Sequence, residues 1–525
     1  MTLDPPARRR ALEAATSGEL DLLVVGGGIT GAGAALDAAT RGLRVALVEA
    51  RDLAAGTSSA SSKLIHGGLR YLEMGDIGLV REALRERELL LTRTAREYVS
   101  PVPFLWPLHG RVWERAYLGA GLILYDTIGG ARSVPRHRHL TRRGALRVAP
   151  ALDPNALIGA VQFYDAAEDD ARMVVAVART AAAHGAHIAT RVRVTGFSGP
   201  GEVEAVDEET GEPLRLRARH VAGAAGVWTD RLRELAGGSS TKRIVPSKGI
   251  HIFVAADRLP MSTGILARTE KSVLFVIPWQ GGWLIGDTDT PWRHGPDTPV
   301  ASGADVDYLL AKANALLADP LTREDVHGVI VGLRPLVTDA ARSDTTRISR
   351  KHVVESPAPG LTTIAGGKYT TYRVMAADLV DAAGRALGGV GPSVTRDVPL
   401  VGRREELAAL IAADPSLGEP LTGDHVRAEV VHACTHEGAL HLDDVLERRT
   451  RLALTAPDRG LAAAEPAAAL MAGALGWSTE RTRDEVDAYR ARVAAARAGE
   501  AERDDEAALR AYQAALAERD AAPAR

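Results

Sequence analysis

The chain has 525 residues, 46% of them hydrophobic and 25% charged, with a formal net charge of −3. That length exceeds one ordinary hydrophobic core and predicts two or three domains, while the near-neutral charge argues against a general affinity for nucleic acid. A single cysteine, Cys434, excludes a disulfide framework within the chain and a cysteine-based metal centre, as fits a reducing compartment.

The N-terminal "MTLDPPARRRALEAATSGEL" carries arginines with no apolar run behind them and does not read as a secretory signal. No window reaches the roughly 20 apolar residues that a bilayer-spanning helix needs. Any meeting with a membrane is expected at its surface.

Residues Leu20 to Ala50 predict strand, glycine turn, helix and strand. "DLLVV" is a short apolar run suited to a buried parallel strand. It runs directly into Gly26-x-Gly28-x-x-Gly31. In this fingerprint Gly26 makes the tight turn, Gly28 admits a pyrophosphate to the backbone, and Gly31 lets helix and strand pack closely. The helix N-terminus supplies N–H groups and positive dipole to phosphates. "RVALVE" then ends in Glu49, at the offset expected of a ribose-binding acid. Together these predict a dinucleotide site, and the turn alone does not choose between NAD and FAD.

The segment after Glu49 bears on that choice. The chain enters "TSSASSKLIHGGLRYLE", Thr57 to Glu73, instead of further strand–helix repeats. Serine-rich runs are usually linkers, yet this one sits inside a folded domain. "LVREALRERELLLTRTA" has helical spacing. "PVPFLWPLHGRVWERAYLGAGLILYDTIGG" is aromatic and apolar, and "ARSVPRHRHLTRRGALR" carries arginines and histidines with no acid. These two runs read either as a packed helix with a solvated basic loop or as a surface facing anionic headgroups. "ARMVVAVARTAAAHGAHIATRVRVT" predicts a buried helix and a strand. A meander leads from Gly201 to a buried strand at His220 to Ala225. "KGIHIFVA", "SVLFVIPW" and "GWLIGDTD" alternate as an antiparallel sheet does. "TTIAGGKYTTYR" reads as strand, glycine turn and helix. The alanine-rich, charged remainder from about Pro399 predicts a separate helical domain with a polar tail prone to fraying. Within it, His432, Cys434 and His436 alternate; on a helix Cys434 would point away from the two histidines, so no metal site is expected.

The combination of "GGGITGAGAALDAATRGLRVALVEARDLAAGTSSASSKLIHGGLRYLE", "DDARMVVA", "AAGVWTD", "KGIHIFV", "GDTD", "GLRPL" and "GGKYTTYR" resembles the FAD-dependent glycerol-3-phosphate dehydrogenases, flavoproteins of the D-amino-acid oxidase type. The resemblance runs in order from about Asp21 to Arg373, and "THEGALHLDDVLERRTRLAL" is similar to the family's extra helical domain. It implies an α/β fold: a glutathione-reductase-like, Rossmann-type FAD-binding domain, an antiparallel-sheet substrate domain and a C-terminal helical domain. The expected ranges are 20–95, 150–230 and 330–390 for the first, 96–149 and 231–329 for the second, and 399–525 for the third. It further implies oxidation of sn-glycerol 3-phosphate to dihydroxyacetone phosphate, FAD as cofactor and a quinone as electron acceptor. It also implies a peripheral place on the cytoplasmic face of the cell membrane, with a homodimer left open and no nucleic-acid partner.

The substrate is a small dianion with a secondary alcohol. Fixed cations for its phosphate are expected at Arg70, Arg334 and Lys368, with Tyr71 adding a hydroxyl. By family position His251 lies at the substrate and is one candidate proton acceptor; His66 is another, and Arg334 is a candidate to hold the alcohol oxygen as its proton leaves. Catalytic roles are thus expected of Arg334, His251 and Lys368. Cofactor contacts are expected of Gly26, Gly28, Gly31 and Glu49, and of Ser58, Ser59, Ser61, Ser62, Lys63, His66, Gly67 and Gly68. Ala225, Gly226, Trp228, Asp287, Gly366, Gly367 and Thr370 complete that set. Competing readings are a glycerophosphate oxidase reducing O2, an amine or amino-acid oxidase of the same fold, and a non-catalytic flavin-binding protein. Several cations rather than one carboxylate clamp argue against the amino-acid oxidase.

Overall fold

The computed structural model describes residues 2–18, 20–69, 75–110, 112–128, 133–270, 273–339 and 351–521. Two sheets dominate it. The eight-stranded sheet contains β1 (Leu20–Val25), β2 (Val45–Val48), β7 (His187–Ala189), β8 (Val192–Gly199), β9 (Glu202–Asp207), β10 (Pro213–Gly223), β17 (Val353–Ala358) and β18 (Leu361–Ala365). Its centre is parallel, with β1 between β2 and β10, β18 beyond β10 and β7 beyond β2. Alternation along β1 assigns its two faces. Leu22 and Val24 join the core under helices Ile29–Thr40, Asp170–Ala183 and Tyr372–Ala386, while Leu23 and Val25 join the core on the other side, beneath helix Pro5–Ser17. Each such fully buried side chain contributes roughly 1.5–3 kcal/mol.

The ten-stranded sheet contains β3 (Leu64–Ile65), β4 (Val99–Leu108), β5 (Arg138–Thr141), β6 (Gly159–Glu168), β11 (Lys242–Ala255), β12 (Gly264–Arg268), β13 (Val273–Trp279), β14 (Gly282–Gly286), β15 (Thr290–Pro291) and β16 (Val326–Asp339). One face packs on helix Gly303–Asn314 through Leu105, Ile250, Ile252, Ile265 and Val276. Residues of the other parity face a cavity between the two sheets. The ranges 150–230 and 330–390 each carry strands of both sheets, because the chain crosses between them after β6 and after β16.

"PVPFLWPL", read from sequence only as an apolar run, is strand β4. Pro101, Pro103 and Pro107 share one parity, so their missing N–H groups fall on one edge of a regular strand. Helix Val112–Ile128 follows it, and the basic run forms β5 and helix Arg142–Val148 instead of a loop.

Beyond β18 and its helix the chain is helical, with its own core of Val430, Leu442, Leu446, Ala467, Met471 and Val486. The expectation of a frayed tail is corrected. Helix Asp505–Ala521 is docked, with Ala508 fully buried and Leu509 and Tyr512 packed against Val227, Trp292 and Leu333. Its polar composition reads as a tail only until that partner surface is known.

Candidate active site

A cavity of about 980 Å³ lies between the sheets. At one end stand the strand–turn–helix residues. A Cβ at Gly26 would lie 2.5 Å from the Ala224 carbonyl oxygen, and one at Gly31 would collide with the Gly26 carbonyl oxygen. Gly31 therefore serves helix packing and does not line the cavity, whereas Gly26 and Gly28 do. Glu49 accepts hydrogen bonds from the N–H groups of Gly27 (2.6 Å) and Arg51 (2.8 Å), which fixes its carboxylate on the cavity wall at the end of β2. The helix at Ile29 has no side-chain cap of its own at Gly28; the Ile29 N–H donates to Ser58 Oγ at 3.0 Å.

The serine-rich run divides. Ser58, Ser61, Ser62, His66 and Gly68 line the cavity. Ser59, Lys63 and Gly67 do not, which corrects their assignment as cofactor contacts. Ser59 turns its carbonyl to Lys63 Nζ (2.6 Å), and Lys63 is fully buried against Asp170 (2.6 Å). Gly67 donates its N–H to Tyr125 Oη (2.8 Å), and a Cβ there would strike Leu84. Arg70 and Tyr71 lie outside the described residues.

Ala225, Gly226 and Trp228 line the cavity, as do Gly366, Gly367, Lys368 and Thr370. Gly366 and Gly367 both have positive φ, 77° and 84°, which lets the chain turn into the cavity before Lys368. Thr370 Oγ1 accepts from the His66 N–H at 3.2 Å and so ties that turn to the serine-rich run.

Strand register assembles the remaining polar wall. Arg334 on β16 lies opposite Ser247 on β11, and His251 on β11 lies opposite both Ile330 of β16 and Gly286 of β14, next to Asp287. The Arg334 guanidinium donates to Asp287 and to the Thr288 carbonyl oxygen (2.9 Å), with Asp289 3.7 Å away. Asp287, expected at the cofactor, lines the cavity, and its carboxylate anchors Arg334. His251 is buried, and burial pushes its pKa down to about 4, so the ring is neutral near pH 7. Its Nε2 lies 3.0 Å from Ser62 Oγ, and Nδ1 has no hydrogen-bond partner among the described residues.

Sequence reading missed several wall residues. Arg51 stacks over the Trp228 ring with its guanidinium carbon 4.9 Å from the centroid, and Thr57 Oγ1 donates to the Leu333 carbonyl (2.7 Å). Arg51 follows Glu49 by two residues, a signal that was available. Phe104, Trp106, Phe163 and Phe275 form an apolar wall, with Phe104 stacked on Phe163 at 5.9 Å and edge-on to Phe275 at 6.2 Å. They lie on β4, β6 and β13, and only the sheet brings them together.

The sequence matches the family of FAD dependent oxidoreductases over residues 21–373 and the C-terminal domain of alpha-glycerophosphate oxidase over residues 393–482. Glycerol-3-phosphate dehydrogenase 2 of Mycobacterium tuberculosis is 45% identical, covering 96% of this chain and 93% of that protein. The chain belongs to the FAD-dependent glycerol-3-phosphate dehydrogenase family. The mitochondrial glycerol-3-phosphate dehydrogenase of Bos taurus is 36% identical to this family member, over 93% of this chain and 75% of its own length. The glycerol-3-phosphate dehydrogenase of Bacillus halodurans, solved in complex with FAD, superposes with a TM-score of 0.76 at 26% identity, covering 94% of this chain and 98% of that one. The cofactor of this family member is FAD, and the cavity fits it. The close-packed Gly26 turn at the helix N-terminus, the fixed Glu49 carboxylate and the Arg51–Trp228 stack would hold pyrophosphate, ribose and ring.

Proposed function

We propose that this chain oxidises sn-glycerol 3-phosphate to dihydroxyacetone phosphate at the polar wall and hands the electrons to a membrane quinone. The observation that carries the reading is the convergence of Arg334, Lys368 and the neutral His251 on the same cavity as the FAD-binding residues. The names of its relatives support glycerol 3-phosphate as the substrate.

FAD, when bound, supplies the acceptor for the hydride that leaves C2, at its N5. The protein does the rest. Arg334 and Lys368 neutralise the phosphate dianion and hold the substrate in one orientation. His251, neutral and held through Nε2 against Ser62 Oγ on the cavity wall, takes the proton of the C2 hydroxyl. The carboxylates of Asp287 and Asp289 keep the Arg334 guanidinium in place, so its charge meets the developing alkoxide without reorganising.

The quinone and the membrane rest on other features. The apolar wall of Phe104, Trp106, Phe163 and Phe275 exceeds what a small polar substrate needs and suits a lipophilic acceptor. Trp113, Tyr117, Ile123 and Leu124 are exposed on helix Val112–Ile128, with Ile158 nearby in sequence to the exposed Arg142, Arg143 and Arg147. Exposed aromatic and apolar residues on one helix and exposed arginines on another suit an anionic lipid interface. Among the described residues no helix is long and apolar enough to cross a membrane.

O2 as acceptor is the second reading, favoured by the match of residues 393–482 to an oxidase's C-terminal domain. Anaerobic mixing with sn-glycerol 3-phosphate should bleach the flavin absorbance, and no bleaching overturns the proposal. Reoxidation of the bleached enzyme by a quinone analogue should outpace that by air; the reverse order selects the oxidase.

A further inference from the structure

The loop that carries Ser61 and Ser62 is tied down in two places. Its front belongs to the two sheets: Thr57 Oγ1 donates to Leu333 of β16, and Ser58 Oγ takes the Ile29 N–H. Its second half hangs on a buried cluster of charges outside the cavity. Asp170 Oδ2 accepts from the Ser61 N–H (3.0 Å), the Ser61 hydroxyl (2.7 Å) and Lys63 Nζ (2.6 Å). Lys63 Nζ also donates to the Ser59 carbonyl oxygen.

The other Asp170 oxygen belongs to the C-terminal helical region. Arg451 donates to Asp170 Oδ1, to Asp169 (2.8 Å) and to the Ser59 carbonyl (3.4 Å). Its guanidinium and the Lys63 ammonium both sit over Trp279, 5.8 and 5.7 Å from the ring centroid. The side chains of Lys63, Asp170 and Arg451 are 0%, 0% and 4% exposed. Burial would raise the Asp170 pKa, but the two cations outweigh it and hold the carboxyl below its usual range. Two cations face Asp169 and Asp170, so the cluster is neutral as built. Glu168 beside it has both carboxylate oxygens without a hydrogen-bond partner among the described residues, and burial raises its pKa well above normal.

Removing Arg451 leaves an uncompensated negative charge in this desolvated place. Lys63 and Asp170 then rearrange, and the Ser59 carbonyl and Ser61 move with them because the same atoms hold both. Ser62 is next in the chain, and its hydroxyl meets His251.

We infer that the C-terminal helical region is part of the active-site machinery: Arg451, acting through Asp170 and Lys63, is a positioning residue that sets Ser61 and Ser62 against the flavin site and His251. This role rests on FAD binding and is independent of which acceptor takes the electrons.

The test uses the full FAD-loaded chain carrying Arg451→Gln, with Arg451→Lys as the conservative variant. Arg459→Gln is the control, because it breaks the Arg459–Glu500 pair inside the same helical region without touching the loop. Amide hydrogen exchange over residues 59–63 and FAD dissociation followed by flavin fluorescence are the primary readouts. Arg451→Gln should speed exchange there and raise the FAD dissociation constant about tenfold. Flavin reduction by sn-glycerol 3-phosphate should slow by up to about 100-fold, as small misplacements do. Arg451→Lys should recover part of each loss. Exchange and FAD dissociation within twofold of wild type, or equal changes in Arg459→Gln, would overturn the inference. Should Arg451→Gln not fold, Asp169→Asn weakens the same contact while leaving Asp170 and Lys63 in place; it should raise exchange at 59–63 by a smaller factor, and no rise overturns the inference. A wild-type enzyme that fails to react with sn-glycerol 3-phosphate defeats the proposed function instead, and leaves both primary readouts intact.

Discussion

On β11, β16 and the turn after β14 the cavity face carries His251, Arg334 and Asp287; on β4, β6 and β13 of the same sheet it carries Phe104, Trp106, Phe163 and Phe275. The pleat treats both halves alike, sending every second side chain to the cavity. They differ in what holds them. The polar half needs partners for each buried charge, and Arg334 has them in Asp287, Asp289 and the Thr288 carbonyl. The apolar half needs only ring packing, which Phe104 supplies with Phe163 and Phe275. One sheet thus carries a charged wall at one end and an aromatic wall at the other within a single cavity.

The sharpest way to separate the halves is to remove the cation. Arg334→Ala should slow flavin reduction by about 10²–10³-fold, the usual loss for one donor at developing charge, with FAD still bound. Stopped-flow absorbance reads the rate and the flavin spectrum reads occupancy; a variant that merely loses FAD would give Arg334 to the cofactor.

Acid should also find the polar half first. The folded His251 pKa is depressed to about 4, below the ordinary histidine value of 6.5. Its contribution to stability is therefore present above about pH 6.5 and is lost as pH falls toward 4, by on the order of 3 kcal/mol. Urea unfolding at pH 7 and pH 4 should show that loss in wild type and a smaller one in His251→Gln. Equal losses in the two proteins would mean that other groups govern the acid response.

Phe275→Ala tests the apolar half. Reoxidation by a quinone analogue should slow about tenfold, near the worth of one aromatic contact, while flavin reduction stays within twofold. If reduction falls as much as reoxidation, the two halves act as one site. The smallest effect belongs to the outside of the molecule. Arg142→Ser should weaken sedimentation with anionic vesicles about fivefold, the worth of about 1 kcal/mol for one arginine, and leave neutral vesicles unaffected. Unchanged binding would remove the membrane role from this surface.

Much of the site was legible along the chain where its parts are contiguous. Gly26 to Glu49 is a local unit, since its turn, helix and strand depend on neighbours in sequence, and it lies as expected. Ser58, Ser61, Ser62, His66 and Gly68 were picked out by the family resemblance, but it did not separate them from Ser59, Lys63 and Gly67, which do not line the cavity. The aromatic wall went unread because each ring looks like an ordinary core residue of its own strand. The C-terminal helix Asp505–Ala521 read as a loose tail because its partners, Val227, Trp292 and Leu333, lie hundreds of residues away.

The sequence by itself determined the nucleotide-binding turn and the family, because glycine geometry, strand alternation and motif spacing are properties of short segments. Tertiary structure decided which residues share a cavity. The long register of β11 against β16 puts Arg334 and His251 on one wall, and the buried meeting of Lys63, Asp170 and Arg451 turns part of the serine-rich run away from it. Both are decided by contacts between distant segments, where desolvated charges must find opposite partners and strands must complete their hydrogen bonds.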